Sequence, residues 1–550
     1  MSDAKLNKIE RLKQKCQASE YRSELAGVDW KNVDDETRFY LKNFGIYNIK
    51  LRPEIFMIRI RIDGGQITLV TLEKIAEIAE KYSLKIILTS RAQVELHDIA
   101  AEHVYTVYQR LQSDHIETVQ TLTDNFRAIV CDPYDGVAND SFITCFPIIS
   151  EIRQMILNNP SWMGTIPRKF NTALIGRERP LVNPWGNDLL FALAKKEGRV
   201  GFNVYLGGKN SEVAKSVNIF VLAENVPKLF ESVALTYHTY GPRGSRSKTR
   251  MFHLIENAGM DQVRIWIENV YGRELESSGV LHMSASEYRA ETVLKNSTSG
   301  SIYTTRYGES SVDELREMLV LAKQYQAEIR LGADQNFHMI PSAGSIVSPA
   351  NAETLLTACA GSRYCPLSLW DIKQDISELP IEDLKTYQIS LGFSGCLKGC
   401  GRHYHSDIGL IGLRTNLYGE TEKAFRIFLG ATQSPVAVPS RMLYYSVPLR
   451  CSQSLFAVIL EDFKLSGYTS FSNFSHAVLN RYEIELLQLW YLFRQCFSSE
   501  SLLLLNLFLD TSEGTKSIEL FTEIKALADQ KEVTEYNELT RILSHQLWDQ

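Results

Sequence analysis

Two stretches decide the fold: 65-GQITLVTLEKIAEIAEKYSLKIIL-88 and 308-GESSVDELREMLVLAKQYQAEIRL-331. In the first, Leu72, Ile75, Ala76 and Ala79 recur at i, i+3, i+4 and i+7, the mark of an amphipathic helix, and Leu84 to Thr89 reads as a following strand. Gly65, Leu72, Ile75, Ala76, Ala79, Tyr82, Ile86 and Leu88 correspond to Gly308, Leu315, Met318, Leu319, Ala322, Tyr325, Ile329 and Leu331, each 243 residues later, and six of the eight pairs are identical. One amphipathic helix is commonplace, but a shared register over helix and strand implies a duplicated βαβ-like unit.

Upstream of the first copy, 55-IFMIRIRI-62 alternates β-prone residues with arginine, so Arg59 and Arg61 lie on one face of a strand, and Asp63-Gly64-Gly65 is a turn signal. A weaker echo links 202-FNVYLGG-208 with 425-FRIFLG-430. The chain therefore reads as a small unit and a larger one, built twice. The expected divisions are a helical arm (1–50), a first repeat (51–118), a first lobe (119–285), a second repeat (286–345), a second lobe (346–480) and a helical extension (481–550).

Composition bounds the partners. With 550 residues, 44% hydrophobic and 23% charged, the chain reads as soluble and globular. Its longest apolar run, Leu502 to Leu509, is broken by Asn506, and the start shows no signal-peptide stretch, so a cytoplasmic protein without a membrane partner is expected. A net charge of −6 offers no global basic field for nucleic acid.

Four of the nine cysteines crowd into 359–400 as C-x5-C-x30-C-x3-C: Cys359, Cys365, Cys396 and Cys400. Four thiolates suit tetrahedral zinc or an iron–sulfur cluster, and the five-residue gap fits structural zinc poorly. Idle burial is the plain alternative. Against it stand Gly361, Gly395, Gly399 and Gly401, which let backbone crowd a cluster and donate N–H groups to sulfur. A second constellation is basic: Arg59, Arg61, Arg91, Arg127, Arg168-Lys169, and the group Arg243, Arg246, Lys248 and Arg250. Arginines on alternate strand positions of an acidic chain call for a partner, and a polyanion or small oxyanion would supply it.

These pieces together resemble the sirohaem- and [4Fe–4S]-containing nitrite/sulfite reductase family of the ferredoxin-dependent type. The resemblance rests on FMIRIRIDGG (56–65), LTSRAQVELH (88–97), TDNFRAIV (123–130), IPRKFN (166–171), RSKTR (246–250), DQNF (334–337), ACAGSRYCPLS (358–368) and SGCLKGCGRHYHSDIGLIG (394–412), and it spans about residues 40–480. It implies a mixed α+β fold in which two ferredoxin-like repeats, each followed by a larger α/β lobe, are arranged pseudo-twofold around sirohaem. It implies that the four cysteines hold a [4Fe–4S] cluster which Cys400 bridges to the sirohaem iron. Arg59, Arg127, Lys169 and Asn171 become the substrate pocket. Arg61, Arg91, Arg246, Lys248, Arg250, Gln335 and Asn336 become cofactor contacts.

The implied activity is the six-electron reduction of nitrite to ammonium, with electrons from ferredoxin or another one-electron donor protein. Sulfite reduction to sulfide with the same cofactors is the alternative, and a non-catalytic iron–sulfur electron carrier lacking sirohaem is a second. Asn171 favours nitrite: sulfite-reducing members resembling this chain tend to carry lysine there, and a neutral amide suits a monoanion better than a dianion. Departures from the family pattern are Ala92 and Glu95 where glutamine is usual, and Leu397-Lys398 where Pro-Asn is usual. His403 and His405 read as neighbours of the cluster rather than ligands.

Overall fold

The structure, a computed structural model, describes residues 6–49, 52–181, 183–285, 292–342, 356–417, 419–433 and 436–497. Two compact units comprise Met1–Glu353 and Thr354–Gln550. Both copies of the repeat lie in the first.

The first copy runs from strand Arg52–Ile60 through helix Leu69–Lys81 to strands Lys85–Leu88 and Val94–Ala100. Thr68 caps the helix by accepting the Thr71 N–H, and Leu72, Ile75, Ala76, Ile78 and Ala79 are buried. The second copy has strand Ser299–Tyr303, helix Val312–Gln324 with a Ser311/Glu314 capping box, and strands Glu328–Leu331 and Phe337–Ile340. Its buried set is Leu315, Met318, Leu319 and Ala322, the same helical positions. All of these enter one hydrophobic core, where each fully buried Leu, Ile or Met contributes about 1.5–3 kcal/mol.

The shared register has a structural cause. Leu88 N–H donates to Gly308 carbonyl and Leu331 N–H donates to Gly65 carbonyl, each at 2.7 Å. These are one contact made twice, because Gly65 corresponds to Gly308 and Leu88 to Leu331. A Cβ on Gly65 would stand 2.1 Å from the Leu331 carbonyl oxygen, so glycine alone permits the approach. The two helices pack together and obey the same symmetry at their rims, where Glu73 pairs with Lys323 and Glu80 with Arg316. Each copy thus buries the face its twin leaves open.

The larger elements follow the weaker echo. In the first unit, Thr172–Ile175 pairs parallel with Leu189–Lys196, which pairs antiparallel with Arg199–Leu206 and then Lys215–Val221. In the second unit the sheet order is Leu356–Ala358, Leu391–Ser394, Ile408–Thr415, Glu422–Leu429 and Arg441–Pro448, with two parallel pairings followed by two antiparallel ones. Leu206 pairs with Leu189 and Leu429 with Ile408, so both echo segments form the same hairpin. Helix Ile484–Phe497 opens the expected C-terminal extension, and the rest of that extension lies outside the described residues. Among the described residues no helix is long and apolar enough to cross a membrane.

Candidate active site

In the second unit, parallel pairing closes the thirty-residue gap between the cysteine pairs. Ala358 pairs with Phe393, so neighbouring strands end side by side and pointing the same way. Cys359 follows the first strand, and its N–H continues the ladder to the Phe393 carbonyl at 3.0 Å. Its Sγ then accepts N–H groups from Gly395 (3.0 Å) and Gly361 (3.4 Å). A Cβ on Gly395 would come 2.2 Å from Ser368 Oγ, which accounts for glycine beside Cys396. Cys359, Cys365 and Cys396 are partly buried and Cys400 is exposed.

Burial pushes the Cys359 thiol up to about 12, and the charges of Cys400 and Cys365 add to the push while the two N–H donors oppose it. Cys365 is raised by burial first, then by Cys396 and Cys400, against N–H donors of Leu367 and Ser368. Four thiols near enough to oppose one another's ionisation, with backbone N–H groups already turned to sulfur, fit a polynuclear iron cluster. The His403 ring is buried, Nδ1 lies 2.9 Å from Ser394 Oγ, and burial, then His405 and Arg426, push it down to about 3.

In the first unit the basic residues converge on three buried carboxylates. Arg59 directs Nε and Nη2 at Glu95 and Nη1 at the Thr121 carbonyl. Asp124 takes Lys13 at 2.9 Å, Arg168 at 3.3 Å and both nitrogens of Arg246 at 2.5 and 2.6 Å. Asp188 takes the Arg250 fork at 2.8 and 2.7 Å and also accepts the Asn171 N–H at 2.8 Å, locking that residue ahead of strand Thr172–Ile175. Arg91 reaches Asn187 Oδ1 at 3.0 Å and the Ala128 carbonyl at 2.8 Å. Asn171 is buried, Lys169 is half-buried and Lys248 is exposed.

Arg127 carries the electrostatic signature. It is buried, and among the described residues its side chain donates to the carbonyls of Thr121 and Thr123 while Nε has no hydrogen-bond partner. Burial, then the guanidiniums of Arg59, Arg91 and Arg168, pull its pKa well below the ordinary value. An arginine keeps its proton in a protein, so the pull registers an unanswered positive field rather than deprotonation. A polyanionic macrocycle with a small oxyanion beside it answers that field.

Three residues expected as cofactor contacts also make close contacts within the protein. Arg61 is buried with its fork on Asp63 (2.9 and 3.1 Å) and on the carbonyls of Phe126 and Arg127. A buried charge needs a partner, and Asp63 stands in the turn that follows strand Arg52–Ile60. Gln335 occupies the position of Ala92 in the other repeat, both at positive φ (67° and 54°), and donates to the Leu88 carbonyl at 2.8 Å. Asn336 donates to Asp334 Oδ2 at 2.9 Å and accepts the Thr305 N–H at 2.9 Å. The last two thus serve the contact between repeats and its turn.

Comparison with known proteins now decides the family. Residues 49–114 match the nitrite/sulfite reductase ferredoxin-like half domain, and residues 122–275 match the nitrite and sulphite reductase 4Fe-4S domain. The chain thus carries matches to both domain types of the nitrite and sulphite reductases. It is therefore an oxidoreductase, and its cofactors are sirohaem and a [4Fe–4S] cluster. A ferredoxin–nitrite reductase of Leptolyngbya laminosa is 26% identical over 466 residues, covering 78% of this chain and 91% of that one. The ferredoxin–nitrite reductase of Synechococcus elongatus is 28% identical over 462 residues, covering 78% and 90%. The solved Mycobacterium tuberculosis NirA protein shares the fold, with a TM-score of 0.76 at 22% identity over 87% of this chain and 97% of that one. Neither family model reaches the four cysteines, which stand on their own geometry.

Sequence reading missed Lys13, Glu95, Asp124 and Asp188. Glu95 and Asp124 lie within the quoted motifs LTSRAQVELH and TDNFRAIV without any sign there of their charge partners, and Lys13 lies in an arm expected only to be helical. What marks them is the pairing itself, across separations of 36 to 122 residues in the hydrogen bonds of Glu95, Asp124 and Asp188 to arginine.

Proposed function

We propose that this protein reduces nitrite to ammonium, taking six electrons one at a time from ferredoxin. The observation that carries the reading is Arg127, buried among like charges with Nε unpartnered and bonded through its backbone N–H to the carbonyl of Phe170, the neighbour of Asn171, a buried neutral amide. When bound, sirohaem supplies the iron at which the oxyanion is reduced, and the cluster relays electrons to it.

The chain's residues do the rest. Arg59, Arg127 and Lys169 hold the oxyanion and neutralise charge that grows on its oxygens as N–O bonds break, and preorganised cations of this kind need no rearrangement at the moment of reaction. Lys169 is also the one side chain of the four that can give up a proton and recover it near neutral pH. Arg91, Arg246, Lys248 and Arg250 take the macrocycle's carboxylates, with Asp124 and Asp188 fixing the two forks beforehand. Cys359, Cys365, Cys396 and Cys400 would hold the cluster, which supplies the electrons. Asn171 and the Glu95 counter-charge on Arg59 both lower the pocket's positive charge, which favours a monoanion over a dianion.

The test is the optical spectrum of purified protein with and without each oxyanion, together with turnover using reduced viologen. Haem absorption and ammonium formed well ahead of sulfide are expected. Sulfide well ahead of ammonium would assign the chain to sulfite, and iron at four per chain without haem absorption would leave only an electron carrier.

A further inference from the structure

A second sulfur cluster lies in the first unit, away from the four cysteines. One Sγ each from Cys131 and Cys145 and one carboxylate oxygen of Asp135 lie within 4.8 Å of one another, and all three residues are buried. The local chain builds the set. Val130, bonded to Thr172 through its N–H at 2.9 Å, anchors Cys131 beside strand Thr172–Ile175. Cys145 caps helix Phe146–Leu157, and Asp135 Oδ2 accepts the N–H groups of Cys145 (2.7 Å) and Phe146 (3.2 Å).

The other carboxylate oxygen, Oδ1, is buried with no hydrogen-bond partner although Asp135 is only 1% exposed. An orphaned buried acceptor is costly, and more so if charged. The corner beside Cys145 is also kept clear. Its Sγ lies 3.9 Å from the Ile143 carbonyl oxygen, and a Cβ on Gly176 would come 2.8 Å from that sulfur and 2.2 Å from that oxygen.

We infer that Cys131, Cys145 and Asp135 bind a zinc ion, with the Ile143 carbonyl oxygen offering a fourth ligand. Two thiolates and a carboxylate are zinc donors. A tetrahedral ion with bonds of about 2.0–2.3 Å sets its ligand atoms roughly 3.3–3.8 Å apart, inside the observed spacing. Both thiols are free, and on binding their two protons leave to solvent, so no oxidant or reductant is needed. Two thiolates and one carboxylate would balance the dication to a single negative charge, beside the arginine-rich region. The ion would tie the chain four residues after Arg127 to the start of a helix.

The test uses full-length protein without a histidine tag, loaded with its iron cofactors and dialysed against EDTA. Mass spectrometry of metals should find about one zinc per chain, and zinc-edge X-ray absorption should show two sulfurs near 2.3 Å with lighter donors near 2.0–2.2 Å. Asp135→Asn keeps the helix-capping acceptor but removes the anionic ligand. It should lower zinc content at least tenfold while iron per chain and haem absorption stay at wild-type levels. A four-sulfur zinc shell would place the metal on Cys359, Cys365, Cys396 and Cys400 and overturn the inference. Wild-type protein without zinc, a Cys131–Cys145 disulfide, or unchanged zinc in the variant would overturn it as well. None of these readings depends on which oxyanion is reduced.

Discussion

Replacing Glu95 by glutamine separates charge from shape at the edge of the substrate pocket. Arg59 closes on Glu95 Oε1 with two nitrogens, and Glu95 Oε2 lies 2.9 Å from His97 Nε2. Burial pushes this acid up, but Arg59 and His97 outweigh it and hold it at about 2, against an ordinary 4.5. At about 1.4 kcal/mol per pH unit, that gap is worth ~3 kcal/mol of folding free energy. Because the folded value is the lower one, the stabilisation is complete above about pH 4.5 and disappears as pH falls through about 2. Glu95→Gln should therefore lower the urea midpoint at pH 7 by the equivalent of ~3 kcal/mol at unchanged m. The deficit should hold from pH 8 to about 5 and shrink by about 1.4 kcal/mol for each unit below about 4.5. The same change unmasks the Arg59 charge. At an effective dielectric near 20 and roughly 7 Å, one charge alters the binding of a dianion relative to a monoanion by ~2 kcal/mol, about thirtyfold. Equal midpoints at pH 7, or a deficit that ignores pH down to about 3, would refute the ion-pair argument. An unchanged preference between nitrite and sulfite would refute the charge argument alone.

Asn171→Lys should raise sulfide formation relative to ammonium by about tenfold or more, measured with the two oxyanions in competition. Arg127→Ala should cut turnover by about 10²–10³ while iron per chain stays constant, since it removes one preorganised cation. Gly65→Ala forces a Cβ to within 2.1 Å of the Leu331 carbonyl at a φ of 74°. It should destabilise the first unit by about 3 kcal/mol or more, read as a lowered midpoint in thermal or urea unfolding. Cys400→Ser should deplete cluster iron and leave Cys359 more reactive to alkylating reagents, because one of the thiols that share the iron is gone.

The duplication was legible because a helix that buries one face must repeat its apolar residues every three or four positions, and both copies bury the same face. Even the two glycines, Gly65 and Gly308, could be seen to correspond. That they mark a reciprocal hydrogen bond between the copies was invisible, because the partner of each glycine carbonyl is a leucine N–H in the other copy, far away in sequence. The cysteines were legible as a set for a similar reason, since the glycines around them are local and chemically unusual. The charge partners were not. Asp124 looks like any acid before an arginine, and only folding shows three cations closing on it. Arg61, which the resemblance makes a cofactor contact, turns its fork to Asp63 in the following turn, and the sequence showed the two residues side by side without showing that they pair.

By itself the sequence determined the repeat and the family resemblance and grouped four cysteines as candidate ligands, because periodicity and spacing are properties of local geometry. Only the tertiary structure decided which cations remain unanswered. Desolvation and Coulomb energy depend on distances through space, so Arg61 and Arg250 find carboxylates while Arg127, of the same residue type and in the same kind of surroundings, keeps a buried nitrogen without a partner.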